Sequence, residues 1–390
     1  MNILIISQSL SGGGAEKVAA NLSLALGKTD NIVLLTYRQD ENEYRYDGIR
    51  ININSEANSL LGRIYQSIRR IVLVAKYKKL YRIEQSVSFV PQCDYANILS
   101  SFFIRCKTVI EVSSNMSMAF PCGFRRMFRR FIMSEASKIA VVSDGSRQNL
   151  IEKWNLPGNK LTTIYNSIDI DNILKTRDNE MSAIIDGEYI IAMGSFRKPK
   201  GHWHLLKAFS IVRQKIHTNI KLLILGDGPY REKYCELIRN LGLEGAVVMP
   251  GFVQPPYPYI SKSLFMVFPS IYEGFGNVII EAMVCGVPVI AADCDFGPRE
   301  ILAPTTDIRK KTESVEISKY GVLTPPFDMS DIDVSAHINN EEIKLADAIC
   351  DLMENQSLRE TLVRESSHYC RRFSNEIFAS NWKNMLYKNG

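Results

Sequence analysis

The chain opens with a short apolar run, Met1 to Ser7, followed by a polar and glycine-rich stretch, Ser11-Gly12-Gly13-Gly14-Ala15-Glu16. Apolar positions then recur at Val18, Leu22, Leu24, Ala25 and Leu26, the spacing of a half-buried helix, and Ile32 to Thr36 returns to an unbroken apolar run. Strand, helix and strand in that order predict a parallel sheet covered by helices. Continuing along the chain, residues 57–83 read as an amphipathic helix, Ala96 to Ser100 and Thr108 to Val112 as strands, and 124–134 as a second helix. Ile139 to Val142 reads as a strand, with Ser143 and Asp144 placed to cap the helix that follows. Leu156-Pro157-Gly158-Asn159 is a turn, and a polar stretch follows at about 170–187.

The alternation then restarts. Tyr189 to Met193, Lys221 to Leu225, Val247 to Met249, Leu264 to Phe268 and Val287 to Ala291 read as strands, with helices at His202 to Gln214 and Gly276 to Cys285. Residues 303–340 read as a polar, irregular insertion, and the C-terminus as helical from about Glu341. The pattern predicts an α/β protein of two doubly wound, Rossmann-like domains. Residues 1–170 form the first, 171–187 a hinge and 188–365 the second, while 366–390 is a terminal helix that packs back on the first. Sheets of this kind bind ligands at the carboxyl ends of their strands, so chemistry is sought in the loops that follow strands.

Charge sharpens this picture. Residues 1–170 hold 22 basic and 14 acidic side chains, and the remainder 25 and 28, so the first half is net positive and the second slightly negative. One domain is therefore expected to meet an anionic partner. The longest apolar runs fall far short of the roughly 20 residues of a membrane span, and the N-terminus lacks the basic flank of a signal peptide. The expectation is a cytoplasmic protein. Eight cysteines without a CxxC pair read as reduced thiols, and five histidines without ligand spacing predict no metal site.

Three loops carry candidate chemistry. In Glu273-Gly274-Phe275-Gly276-Asn277-Val278-Ile279-Ile280-Glu281 the glycines let backbone approach a ligand. N–H groups at Phe275, Gly276, Asn277 and Val278, at a helix start, suit a diphosphate. Glu281 lies one turn beyond Asn277, within reach of a ribose diol, and Glu273 can accept from sugar hydroxyls. Gly194-Ser195-Phe196-Arg197-Lys198-Pro199-Lys200-Gly201 places three cations between a strand and a helix, as a leaving diphosphate requires. Gly12-Gly13-Gly14 lacks the last glycine of the dinucleotide fingerprint, and Arg231 occupies that place after Gly226-Asp227-Gly228, which disfavours a nicotinamide dehydrogenase. The acidic triplet Asp293-Cys294-Asp295 lies past the motif helix beside Gly297-Pro298 and reads as a structural turn.

Together these motifs resemble the GT-B fold glycosyltransferases of family 4, retaining enzymes that use nucleotide sugars. The resemblance covers nearly the whole chain, from the early glycine loop through Ile164-Tyr165-Asn166-Ser167-Ile168-Asp169 to the paired glutamates Glu273 and Glu281, with seven residues between them. It implies that Lys200 contacts the donor diphosphate, that Glu273 binds the transferred sugar and that Glu281 binds the ribose. Phe275, Gly276 and Asn277 would act through backbone groups, and Gly13 and Gly14 would lie near the phosphate and sugar. It also implies work without a bound metal or other cofactor. Two positions depart from the family. Ser195 stands where it often has Arg, so Arg197 would supply the charge. Ser114 or Asn115 would replace an acceptor-side His.

The expected reaction is transfer of a sugar, from a donor expected to be UDP-linked, to a hydroxyl of a glycan or lipid-linked acceptor, with retention. Gly297-Pro298-Arg299-Glu300-Ile301 resembles members that build bacterial surface polysaccharides. A catalytically silent nucleotide-sugar-binding protein and a sugar-nucleotide epimerase are the alternatives. No nucleic-acid partner is expected. Helix 124–134 carries Arg125, Arg126, Arg129 and Arg130 on one side and Phe124, Phe128 and Phe131 on another, which predicts peripheral attachment to an anionic membrane surface.

Overall fold

The computed structural model describes residues 1–55, 59–113, 115–180, 184–216 and 219–387. They form two compact units, Met1–Ser167 with Asn375–Gly390, and Ile168–Ser374. Unit 2 thus begins within the expected first domain. Residues 171–187, expected as a hinge, open inside a helix of unit 2, Ile170–Thr176, whose cap Asp169 accepts from the Asn172 N–H at 3.2 Å.

Unit 1 holds seven parallel strands: β1 (Asn2–Ser7), β2 (Asn31–Thr36), β3 (Ile49–Asn52), β4 (Gln85–Phe89), β5 (Lys107–Val112), β6 (Lys138–Val141) and β7 (Leu161–Thr163). Their order is β3-β2-β1-β4-β5-β6-β7, so the winding reverses between β1 and β4. Ile3, Ile5, Leu34, Val87 and Val109 pack on one face against helix Gly14–Gly27. Helix Asn375–Tyr387 joins the same cluster through Phe378, Trp382, Met385 and Leu386. Buried side chains of this size contribute about 1.5–3 kcal/mol each, enough to hold the terminal helix on the sheet. Gln85 and Lys138 add hydrogen bonds to the Leu386 and Met385 carbonyls at 2.6 and 2.5 Å.

One expected element differs here. Ala96 to Ser100, read as a strand, lies in helix Pro91–Ser101, which Pro91 opens at its first turn. The strand is the preceding segment, Gln85–Phe89, whose polar Ser86 and Ser88 concealed it. Both serines are fully buried, donating at 2.6 Å to Asn97 and Asp94 of the helix that follows.

Unit 2 repeats the design with β8 (Tyr189–Met193), β9 (Lys221–Leu225), β10 (Val247–Gly251), β11 (Met266–Phe268), β12 (Val289–Ala292), β13 (Glu316–Ile317) and β14 (Val322–Thr324). The order is β10-β9-β8-β11-β12-β14-β13, parallel except for the edge pair β13–β14. Winding reverses between β8 and β11. The expected irregular insertion, 303–340, therefore supplies two strands of the sheet, too short to leave a periodic signal. Helix His202–Ile216 is buried along most of its length, and helix Asn340–Glu354, set by an Asn339–Glu342 capping box, packs beside it. Both units have the doubly wound Rossmann-like architecture that the pattern predicted.

Candidate functional site

In unit 2 the reversal point between β8 and β11 is where an open α/β sheet receives a ligand. The loop after β8, Gly194 to Gly201, and the loop after β11, Pro269 to Gly276, meet there. They are joined by the Ile271 N–H donating to the Pro199 carbonyl at 2.8 Å. The loop after β9 braces the first, with the Phe196 N–H on the Asp227 carbonyl at 2.9 Å and the Tyr230 N–H on the Phe196 carbonyl at 3.1 Å. Phe196 is fully buried, and its ring packs edge-on to His202 and Tyr234. This apolar anchor leaves Ser195 and Arg197 on the exposed side.

The three cations of the loop have different fates. Lys198 pairs with Asp331 at 2.6 Å at the surface. Lys200 reaches Glu273 Oε1 at 2.5 Å, and Ser270 Oγ donates to the same oxygen at 2.8 Å. Arg197 forms no ion pair among the described residues. Two sequence-chosen residues from loops 73 positions apart, Lys200 and Glu273, are thus brought together. Ser270 was missed as a member of the site, although it stands three residues before Glu273 in the same loop. His202, behind Lys200, is buried, with Nε2 3.4 Å from the Gly194 carbonyl. Burial first, and the Lys200 charge after it, push its pKa down to about 4, so the ring stays neutral.

Gly276 caps helix Asn277–Val284 at φ +103°, a conformation that costs other residues strain, and no side chain among the described residues caps that helix start. Its first N–H groups lie at the positive end of the helix dipole. The Phe275 ring is buried against Phe373, centroids 5.6 Å apart, so Phe275 can serve a ligand through its backbone. Glu281 is 7% exposed, one turn below Asn277. Its charge adds to burial in pushing the Cys285 thiol up to about 12.

A buried ion network supports this loop from beneath. The Glu273 N–H donates to the Asp295 carbonyl at 2.5 Å, and the Phe296 N–H returns to Glu273 at 3.1 Å. Gly297 permits the crossing, because a Cβ there would lie 1.6 Å from the Phe275 carbonyl oxygen. Arg299 then holds Asp293 through three contacts of 2.5–3.2 Å and Glu316 through two of 3.0 and 3.1 Å. Asp293 also accepts the Thr312 N–H at 2.8 Å. The first acid of Asp293-Cys294-Asp295 is therefore engaged structurally, and Asp295 pairs with Lys311 at 2.8 Å. The sequence carries two more triplets of this form, Asp169-Ile170-Asp171 and Asp331-Ile332-Asp333. Asp169 caps a helix, while Asp331 and Asp333 pair with Lys198 and Lys207.

In unit 1, Gly13 caps helix Gly14–Gly27, and Gly12 and Gly14 are exposed. Beside them Ser11 and Arg38 both hold Asp40, at 2.7 and 3.1 Å. Of the acceptor-side pair, Ser114 lies outside the described residues. Asn115 is buried, its side-chain oxygen accepting the Met118 N–H at 3.3 Å. Sequence reading missed two buried acids nearby. Glu111, at the end of β5, has neither carboxyl oxygen in a well-formed hydrogen bond among the described residues, although Ser113 stands close. Burial, with Asp94 next, pushes its pKa up to about 8. Its signal was a lone acid inside the apolar run Thr108 to Val112. Asp94 pairs with Arg129 at 2.7 Å.

That pair corrects the reading of helix Gly123–Glu135. Arg129 was grouped with the outward arginines, but it is fully buried, because Asp94 neutralises it inside the unit. Arg126 donates to the Pro121 and Lys153 carbonyls at 2.9 and 2.5 Å, and Arg125 and Arg130 remain exposed. Phe128 stacks against Phe124 and meets Tyr95, so the outward apolar side is Phe124, Met127 and Phe131.

Residues 176–313 match the family model described as glycosyl transferases group 1. The chain is 29% identical over 306 residues to a Campylobacter jejuni enzyme, with 76% of this chain and 82% of that one aligned. That enzyme is the N-acetylgalactosamine-N,N'-diacetylbacillosaminyl-diphospho-undecaprenol 4-alpha-N-acetylgalactosaminyltransferase. A poly(ribitol-phosphate) alpha-N-acetylglucosaminyltransferase of Staphylococcus aureus is 24% identical, over 92% of this chain and 67% of that one. Among solved structures, Anabaena HepE in complex with UDP and glucose superposes with a TM-score of 0.76 at 18% identity, covering 99% of both chains. The chain has the GT-B glycosyltransferase fold, with a group 1 segment in unit 2 and relatives named for bacterial glycan and capsular polysaccharide synthesis.

Proposed function

We propose that this protein is a retaining glycosyltransferase of the family 4 type. It moves a hexosyl or N-acetylhexosaminyl residue from a nucleoside-diphosphate sugar, UDP-linked, to a hydroxyl of a lipid-linked or oligosaccharide acceptor in bacterial surface-glycan synthesis. The observation that carries the reading is the Lys200–Glu273 pair at 2.5 Å beside the uncapped helix start at Gly276. It sets a cation, a backbone anion site and a sugar-binding carboxylate within one loop cluster. UDP in HepE and the hexosaminyl transfers named for the two bacterial relatives support the donor and sugar classes.

Glu273 accepts from hydroxyls of the transferred sugar. Lys200, already held in place by Glu273, turns its charge to the diphosphate as negative charge grows on the leaving oxygen, and Arg197 adds a second cation from the exposed rim. Backbone N–H groups of Gly276, Asn277 and Val278 bind phosphate oxygens, and Glu281 holds the ribose. The acceptor attacks from the face that the diphosphate leaves, and the departing phosphate takes the acceptor proton. No divalent ion is required, because Lys200, Arg197 and the helix start supply the positive charge. The protein works in the cytoplasm, attached peripherally through the basic unit 1.

The test is a panel of UDP-sugars with lipid-linked acceptors, following UDP release and the anomeric configuration of the product by NMR. Acceptor-dependent release with a retained anomer is expected. An altered sugar nucleotide formed without acceptor, or an inverted product, overturns the reading.

A further inference from the structure

Helix Leu60–Leu80 is 21 residues long and starts at Ser59, whose hydroxyl accepts the Gly62 N–H at 3.0 Å. It buries only Val74 and Lys78 fully. Its first four turns instead expose large apolar side chains: Leu60 at 75%, Leu61 at 79%, Ile64 at 53%, Tyr65 at 64%, Ile68 at 58% and Val72 at 60%. At about 100° per residue these six fall within an arc of about 140°, a continuous outward stripe. Scattered apolar residues on a surface need no explanation, whereas an aligned set of six marks an interaction face.

Charge identifies the partner. The helix carries Arg63, Arg69, Arg70, Lys76, Lys78 and Lys79 and no acidic residue. By the same geometry Lys76 and Arg69 flank one edge of the stripe and Arg63 the other, while Lys79 continues its line. A groove of about 630 Å³ lies between this helix, helix Pro91–Ser101 and helix Gly123–Glu135, lined by Arg63, Arg70, Tyr95 and Phe128 among others. The outward Phe124, Met127, Arg125 and Arg130 therefore belong to a neighbouring element of unit 1. A second copy of the chain, docked by two-fold symmetry, would set these cations against themselves with no acid to answer them. A bilayer containing anionic lipid answers both features, taking the apolar stripe among acyl chains and the flanking cations among phosphates.

We infer that helix Leu60–Leu80 is the membrane-docking element, inserting Leu60, Leu61, Ile64, Tyr65, Ile68 and Val72 into an anionic bilayer surface. The inference rests on the peripheral-membrane part of the reading above, and its test separates it from the transferase chemistry. The full chain is floated with phosphatidylcholine vesicles, with and without phosphatidylglycerol. Binding should require the anionic lipid and weaken with salt. The variant Leu61→Ser/Ile64→Ser/Ile68→Ser should lose roughly 100-fold in vesicle affinity, while UDP release with a water-soluble acceptor stays unchanged. In an Ile64→Trp/Trp154→Phe/Trp382→Phe chain, emission should shift to the blue when anionic vesicles are added. Flotation of the serine variant like the parent, or an unmoved emission from the introduced indole, overturns the inference. So does a parent dimer in solution that the serine variant converts to a monomer.

Discussion

Asp293→Asn tests whether the buried network beneath the donor loop is structural. Asp293 is fully buried and Arg299 is 2% exposed, so the pair exchanges little energy with water. The substitution keeps the shape and an acceptor for the Thr312 N–H, and removes only the charge. Taking one partner from a buried ion pair costs about 3–5 kcal/mol, because the other charge is left uncompensated. Glu316 still faces the guanidinium from a half-open position, with Oε2 3.0 Å from Nη2, which places the expected loss near about 3 kcal/mol. For a unit of about 200 residues, each kcal/mol shifts the melting temperature by about 2–4 °C, so a fall of about 6–12 °C is expected.

The readout must see unit 2 alone, because two units need not unfold together. Of the three tryptophans, Trp203 lies in unit 2 and Trp154 and Trp382 in unit 1. Fluorotryptophan labelling followed by 19F NMR on heating therefore resolves the transition. Asp307→Asn, at an exposed pair with Arg309, is the control and should leave the transition in place. The double variant Asp293→Leu/Arg299→Met should recover most of the loss, since apolar pairs often replace buried ion pairs without cost; Glu316 keeps Lys310 at 3.7 Å. A melting temperature for Asp293→Asn equal to that of the control would show that the network carries no stability, and the reasoning would fall.

The remaining predictions concern the site and its pH response. Hydrogen bonds to a charged group contribute about 1.5–3 kcal/mol, so Glu281→Ala should weaken UDP-sugar affinity by roughly 10- to 100-fold in calorimetry with unchanged circular dichroism. Glu273→Ala should lower kcat more than it raises KM, because its contact is to the reacting sugar; wild-type kinetics in both variants would mean that the site is elsewhere. Activity should survive EDTA, and loss restored by magnesium or manganese would refute the cation assignment. His202 has a folded pKa of about 4, below its ordinary value of 6.5, so its contribution to unit 2 is complete above pH 6.5 and is lost as pH falls towards 4. Glu111 runs the other way: its contribution to unit 1 is complete below pH 4.5 and is lost as pH rises towards 8. Glu111→Gln should therefore stabilise unit 1 at pH 8, read from the Trp154 and Trp382 resonances, and no gain there would show that the carboxyl is not held protonated.

How much of this was legible in the sequence depended on how far apart the deciding partners lie. The restart of the strand–helix alternation at Tyr189 and the loops after β8 and β11 are local patterns, and Lys200 and Glu273 could be chosen before any geometry was known. Their partnership could not, because it joins two loops through the sheet. Distance along the chain also explains the misreadings. Ser86 and Ser88 look like surface positions until Asn97 and Asp94 are folded onto them. Arg129 looks outward in a helix rich in arginine, yet Asp94, 35 residues earlier, draws it inside. Helical spacing shows which side chains share a face; it does not show whether that face meets water, lipid or a buried acid. The stripe of helix Leu60–Leu80 is the converse case. Its amphipathic pattern was legible, but the apolar side chains would ordinarily be assigned to the core, and only the fold shows that nothing among the described residues of unit 1 covers them. A helix whose apolar face points outward while its neighbour buries an arginine has exchanged the usual roles of the two residue types. Asp94 makes the buried arginine favourable, whereas the outward stripe, on the more basic unit, is what an anionic membrane surface would favour.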